Sequence, residues 1–510
     1  MGGQVTLRGT NAILVASLLA SACRGAPSAD SKEGRLARGQ EVYVRYCASC
    51  HGESGDGQGK AAYLLFPRPR NFLKSEFKLR STPAGMLPTD DDLFKTITQG
   101  IPGTGMFAFS EVLSDEDRRA VLDYVKVLTP RFKGAPPIAD EHLLKIPAPP
   151  EPTTRLIAQG KKTYEQFGCG KCHGPEGRGD GPSAPTLVDS SGDSFPAADF
   201  TRGIYKSGGR PEDLYRTFLT GMAGTPMPSF QGAFTSDEQA WALVYYNFSL
   251  APGGKPAPIA GDPGPIRAAP ARDAAALNDP ASPVWSEMKP HRVYLRPLWY
   301  RNEYPLWVLV RAARLDNQIA ILVEWTDPTG DFAADREQHF ADAVALQIAL
   351  GDELPFIAMG DQTGLCEIWQ WRADRQLTLD RGRPALRSDA YPNTATVEYR
   401  LPAFDAAKEA GNILAAPGGA ERPIHSLSAA GIGTLTAPPV TSQRVQGRGV
   451  WKDGTYRVVF SVPVEPTRPR EADFRKATIP IAFAVWDGHA GDRNGTKLVS
   501  QWLRLVPGLN

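Results

Sequence analysis

Cysteine is scarce in this chain, at six in 510 residues. That is too few for a disulfide scaffold across such a length. An excess of one charge sign is also missing: 57 Lys and Arg against 56 Asp and Glu leave a formal net charge of +1. Bulk electrostatics therefore imply no nucleic-acid partner. Long apolar runs are lacking as well. The run Ala12 to Ala22 is too short to cross a membrane as a permanent helix. It follows Arg8 and ends in Ala20-Ser21-Ala22, so residues 1–22 read as an export signal. Leu19-Ala20-Ser21-Ala22-Cys23 approximates a lipobox, with Ala20 where leucine is usual. Cys23 is accordingly expected to be diacylated, with residues 23–35 as a polar tether and the protein on the periplasmic or cell-surface side. Simple cleavage by the Ala-x-Ala rule is the alternative.

Four of the cysteines fall into two identical spacings, Cys47-Ala48-Ser49-Cys50-His51 and Cys169-Gly170-Lys171-Cys172-His173. Two thiols one helical turn apart can add across the two vinyl groups of a haem, and the adjacent histidine then reaches the iron. Two covalent haems c are expected, attached through Cys47, Cys50, Cys169 and Cys172 and ligated by His51 and His173. Met106 lies 55 residues after His51 and Met227 lies 54 after His173, each in a Gly/Pro-rich loop. Both are expected as sixth ligands, which closes the iron to small molecules and suits single-electron transfer. Met222 competes with Met227, but only Met227 aligns with Met106.

The alignment is an internal repeat of about 122 residues. Asp92 to Thr96 corresponds to Asp213 to Thr217, and Ser114-Asp115-Glu116 to Ser236-Asp237-Glu238. The serines read as caps of final helices, Arg118 to Leu128 and Gln239 to Leu250. Each unit thus reads as about three helices around a haem, and both resemble class I c-type cytochromes over residues 36–130 and 155–250. Residues 131–154 and 251–283, rich in proline, read as extended linkers. The basic run Arg68, Arg70, Lys74, Lys78 and Arg80 reads as a solvated surface that partly neutralises haem propionates, with a docking patch as the other reading.

After Pro283 helical periodicity gives way to short β-branched runs: Leu306 to Arg311, Ile319 to Trp325, Glu367 to Trp371, Thr396 to Arg400, Tyr456 to Val462, Ile479 to Trp486 and Leu498 to Leu505. They predict an all-β antiparallel sandwich over 284–510, interrupted by a disordered insertion near Ala406 to Gln446. The chain is therefore multidomain, two all-α cytochrome c domains followed by that sandwich.

Several segments carry a resemblance: Glu324-Trp325-Thr326-Asp327, Phe340 to Gln347, Pro355 to Asp361, Ile368 to Trp371 and Ala482 to Gly488. Together they resemble the haem b-binding gamma subunit of ethylbenzene dehydrogenase, in the type II group of the dimethyl sulfoxide reductase family. The resemblance implies one non-covalent haem b between a methionine and a lysine, positions that match Met359 and Lys497. It further implies a molybdopterin catalytic subunit and an iron–sulfur subunit as partners, with an electron-carrier cytochrome or a membrane redox complex beyond, and no catalysis by this chain. Relatives of that group include nitrite oxidoreductases, chlorate or selenate reductases and hydrocarbon dehydrogenases. His489 is the substitute for Lys497, and His291, His339 and His425 are left unassigned. Cys366 reads as a small hydrophobe. Two rivals remain: a dihaem enzyme such as a peroxidase, and a cytochrome joined to a carbohydrate-binding sandwich that uses Trp299, Tyr300, Tyr304 and Trp307.

Overall fold

The computed structural model describes residues 31–258, 264–332, 338–351, 353–361, 364–382 and 422–508. The export signal, Cys23, the expected strand Thr396 to Arg400 and the first part of the expected insertion lie outside them. Among the described residues no helix is long and apolar enough to cross a membrane.

The repeat folds twice in the same way. In the first copy α1 (Lys32–Tyr46) leads into the single turn α2 (Ala48–His51), followed by α3 (Asp90–Gln99) and α4 (Asp115–Leu128). The second copy has α5 (Thr154–Gln166), α6 (Gly170–His173), α7 (Pro211–Thr220) and α8 (Asp237–Ser249). Ser114 and Ser236 cap α4 and α8, accepting from the amides of Asp117 and Gln239. The final helices therefore begin two or three residues earlier than apolar periodicity alone marks, because the acids after each cap belong to the first turn. First and last helices of each unit cross at a glycine. A Cβ on Gly39 would stand 2.1 Å from the Ala120 carbonyl oxygen, and one on Gly160 would stand 1.9 Å from that of Ala242. The expected tether is shorter than residues 23–35, since α1 starts at Lys32 on a Ser31 cap.

Among the described residues the C-terminal region holds thirteen strands: β1 (Ile266–Pro270), β2 (His291–Tyr294), β3 (Arg296–Pro297), β4 (Trp307–Leu315), β5 (Gln318–Thr326), β6 (Ala343–Ala349), β7 (Cys366–Arg372), β8 (Ile424–Ala429), β9 (Gln446–Lys452), β10 (Thr455–Pro463), β11 (Ile479–Trp486), β12 (Leu498–Val499) and β13 (Leu503–Val506). One face runs β8-β7-β6-β11-β13, the other β4-β5-β10-β9. Trp369, Trp371, Tyr456, Phe460 and Phe474 fill the space between them. Asp453 and Gly454, both at positive φ, make the tight turn between β9 and β10.

Three expectations are corrected here. The segment 251–283 is not an extended spacer throughout. Its β1 pairs parallel with β13 on one side and with β4 on the other, stapling the two sheets, and a short helix, α9 (Ala274–Asn278), follows it. The sandwich is thus antiparallel except at β1, which enters from the second helical unit rather than through a hairpin. The insertion ends earlier than Gln446, because β8 pairs with β7 and Gln443 fastens the chain beyond it to Ser426. The stretch Leu498 to Leu505 is two strands, broken where Ser500 donates to the carbonyl of Gln501.

One buried acidic group sets a pH dependence. Carboxylate oxygens of Asp327, Asp342 and Asp487 lie within 4.8 Å of one another. Burial, and then the Asp487 charge, push Asp327 up to about 6, and burial pushes Asp342 up to about 7. Folded values above the ordinary carboxylate value near ~4 mean that this stability is present at low pH and is lost as pH rises through 6 to 7. Asp327→Asn removes one ionisation, while its side-chain oxygen can still accept from Thr329. The variant should gain on the parent between pH 4 and pH 7, by on the order of 2 kcal/mol at the upper end. Melting curves across that range check it; a variant that loses stability at pH 7 contradicts the assignment.

Candidate functional site

Each Cys-x-x-Cys-His turn opens onto an apolar cavity. Cys47, Cys50, His51 and Met106 line the first, and Cys169, Cys172, His173, Met222 and Met227 line the second. The histidine is held the same way in both. The Nδ1 of His51 lies 2.9 Å from the Arg70 carbonyl oxygen, and that of His173 lies 3.0 Å from that of Ala198. A carbonyl only accepts, so each Nδ1 carries the proton and each Nε2 keeps a free lone pair. Burial pushes His51 down to about 4 and lowers His173, so both rings are neutral and able to ligate. Phe72 stacks on His51 at 4.7 Å and Phe200 on His173 at 4.4 Å, fixing the ring planes. Tyr43 and Tyr164 close each turn by donating to the carbonyls of Gly52 and Gly174. Burial raises Cys47 and Cys50 to about 12 and Cys169 to about 11, so these thiols stay protonated at neutral pH.

The methionine loops superimpose bond for bond. The amide of Met106 donates to Thr104 Oγ1 and its carbonyl accepts from Ile101; the amide of Met227 donates to Thr225 Oγ1 and its carbonyl accepts from Met222. Met222 is thereby the counterpart of Ile101, although it also lines the second cavity.

The third site lies on the outer face of the β8-β7-β6-β11 sheet. Side chains alternate along β6 and β11: Val344, Leu346, Ile348, Ile481, Phe483 and Val485 enter the core. Ala343, Ala345, Ala349, Ala482 and Ala484 face the other way, with Trp486 and Trp502 beside them. That outward face is a floor of small side chains, with Gln347 among them donating to the Ile357 carbonyl of the loop above. Met359 packs against this cluster at φ 71°, held there by the amide of Gly431 on its carbonyl and by its own amide on Ile357. Such a conformation costs about 1 kcal/mol and persists only where neighbours impose it. Lys497 Nζ stands 4.7 Å from the centroid of the Trp486 ring, and burial pushes this amine down to about 8. A lysine ligates iron only as the neutral amine, so that shift favours ligation. Met359 and Lys497 thus both border this alanine face, one through the apolar cluster and the other through Trp486. His489 is exposed on a turn and His425 is buried in β8. Cys366 is fully buried with its thiol pushed up to about 12, as a small hydrophobe would be.

The first haem cavity and the Met359 loop share a wall. Arg45 and Tyr46, immediately before Cys47, hold the loop that carries Met359: Arg45 pairs with Glu353 at 2.6 Å and Asp361 at 3.4 Å, and Tyr46 Oη donates to Leu354. Phe356 of that loop lines the first haem cavity. The basic run is in part an interface, because two of its long side chains reach carbonyls of the second unit. Lys74 donates to Ser190 and Arg80 to Thr220, while Arg68 turns back to Ala62. Three of the four aromatics that would form a sugar platform are engaged, while Trp299 packs on Phe66 and stays 41% exposed. Tyr300 donates to Ala197, Arg202 covers the ring of Tyr304, and Arg292 covers that of Trp307. The histidine-orienting carbonyls and stacking phenylalanines escape sequence reading; the recurrence of Phe72 and Phe200, each two residues after its carbonyl, is their signal.

Comparison with known proteins divides the chain in the same way. Residues 282–498 match the family described as ethylbenzene dehydrogenase, and residues 34–125 and 155–246 match that of cbb3-type cytochrome c oxidase subunit III. A dimethylsulfide dehydrogenase subunit gamma of Rhodovulum sulfidophilum is 28% identical over 45% of this chain and 76% of its own length. A chlorate reductase subunit gamma of Ideonella dechloratans is 24% identical over 38% of this chain, which spans 62% of that relative. A solved structure of a reducing HAO-like protein complex from Kuenenia stuttgartiensis matches 42% of this chain and 96% of its own at 42% identity, with a TM-score of 0.40.

Proposed function

We infer that this chain, whose residues 282–498 match the ethylbenzene dehydrogenase family and whose helical units match that of cbb3-type cytochrome c oxidase subunit III, is an extracytoplasmic electron-transfer subunit and not a catalyst. The observation that carries the reading is the paired lining of each helical cavity, with a Cys-x-x-Cys-His turn and a methionine loop bounding the same space. His51 with Met106, and His173 with Met227, would hold two haems c; Met359 and Lys497 would hold one haem b. Bound there, each iron supplies one-electron redox chemistry. The protein itself contributes packing, neutral ligands and exclusion of water, and moves no proton in a reaction.

Contacts of the Met359 loop favour a linear order of sites, while the second unit reaches the sandwich elsewhere, through Arg202 on the carbonyls of Asn302 and Tyr304. The Met359 loop seats on the first helical unit through Arg45 and Tyr46, and the first unit meets the second through Lys74, Arg80 and the Lys95–Asp213 pair at 2.6 Å. The haem b site is then the terminal that faces a molybdenum catalytic subunit and its iron–sulfur partner, and the second unit is the terminal for an outside carrier or membrane complex. A lipid on Cys23 would keep the chain at the membrane. Two tests apply. Reductive titration should take up three electrons per chain, and carbon monoxide should leave the ferrous spectrum unchanged. A ferrous haem that binds carbon monoxide, with peroxide turnover, would support the enzyme reading instead.

A further inference from the structure

A third cavity, of about 370 Å³, lies where the two helical units meet the sandwich. It shares a wall with each haem cavity: Lys78 lines it and the first, and Lys206 lines it and the second. These lysines are repeat counterparts, following Phe77 and Tyr205, although 128 residues separate them and not 122. They approach one ring from the two units, with Nζ at 5.1 Å and 5.7 Å from the centroid of Phe195. Arg296 of β3 closes the third wall. Its guanidinium covers Phe107 at 5.2 Å, and Nη1 donates to the Met106 carbonyl at 3.3 Å.

None of these three cations forms an ion pair with a carboxylate among the described residues. The acids around the cavity are already engaged. Asp213 is paired with Lys95, Arg210 and Arg216, and Asp92 accepts from Ser81 and Thr89 in the cap of α3. Glu111 faces Arg504 at 3.6 Å. Outside the cavity wall Arg70 stands 3.9 Å from Glu76, and the charge of Asp189 reaches Lys78 without forming an ion pair. Burial pushes Lys78 well below the ordinary lysine value, Lys206 down to about 8 and Arg296 down to about 10. Enclosed cations without counterions are costly, so a site that gathers three is built for anions that arrive with something else. A haem in either neighbouring cavity would carry two carboxylates.

We propose that Lys78, Lys206 and Arg296 form a single anion chamber that receives propionate carboxylates of both covalent haems, so that each cation acts on both. The inference rests on the haem c reading above. A fixed positive charge favours the ferrous over the ferric form of any haem within its field, and low-dielectric surroundings extend that field. Removing one cation from a shared chamber must therefore lower two potentials together.

Spectroelectrochemical titration of the full-length holoprotein tests this. Lys78→Met should lower the midpoints of both c-type waves, and so should Lys206→Met and Arg296→Met. Lys78→Arg, which keeps the charge, should leave both near the parent, and propionate bands in resonance Raman should shift in each Met variant. If Lys78→Met fails to mature, the other two report on the same chamber from its remaining walls. Movement of one wave only, the nearer one in each variant, overturns the proposal, as does no movement at all. A parent with fewer than two thioether-bonded haems would sink the functional reading itself; two attached haems that respond independently would sink the chamber alone.

Discussion

Lys497→Ala should leave two covalent haems in place and strip the haem b, lowering its content at least ~10-fold, since loss even of a group that only supports a metal ligand costs ~10–100-fold in affinity. Met359→Ala should do the same. The reasoning is local: Lys497 lies over Trp486, next to the alanine floor that Met359 also borders. Lys452→Ala, at an exposed lysine at the end of β9, is the control and should keep a full complement. Acid-acetone extraction followed by a pyridine haemochrome spectrum reads the result. Extractable haem retained by both ligand variants would remove this pair from the site.

Gly160→Ala should be among the most damaging single substitutions in the helical half. The added carbon would meet the Ala242 carbonyl oxygen at 1.9 Å and its carbon at 2.5 Å, backbone atoms that cannot rotate away. Helices α5 and α8 would have to separate, and they frame the cavity whose wall Tyr164 and Asn247 supply. Overpacking typically costs about 1–3 kcal/mol, and a backbone clash belongs at the upper end. A melting temperature lower by several degrees, with reduced haem attachment at Cys169 and Cys172, is the expected outcome. Gly39→Ala should repeat the effect in the first unit, where the clash is 2.1 Å. Gly232→Ala, with nothing within 4 Å, should change nothing measurable. Equal melting temperatures for Gly160→Ala and Gly232→Ala would refute the packing argument.

What the sequence made legible was local or repeated. The two Cys-x-x-Cys-His turns, the serine caps at Ser114 and Ser236 and the matched loops of Met106 and Met227 each depend on a few neighbouring residues, and the repeat checks each against its twin. Strands β5, β10 and β11 were legible because two-sided burial gives near-continuous apolar runs. Interactions distant in sequence were not. Nothing near Lys78 announces that it shares a cavity with Lys206 and Arg296, and nothing in Arg45 announces Glu353. Strand β1 hid inside a proline-rich segment because its pairing partners, β13 and β4, lie far along the chain. Strand β8 hid behind polar residues: it is short, and His425 and Ser426 interrupt its apolar pattern, although both are buried. The basic run misled for the same reason, since an interface and a solvated surface have similar composition until the second unit is in place.

Three irons, each capped from both sides by this chain, are what make it a conductor of electrons. A haem inventory of the purified protein, by pyridine haemochrome before and after acid-acetone extraction and with carbon monoxide added to the reduced form, measures that in one preparation. Two haems c that stay with the polypeptide, one haem b that leaves it, and no carbon monoxide adduct are the expected result. Two covalent haems with nothing extractable, or a ferrous iron that takes up carbon monoxide, would contradict it.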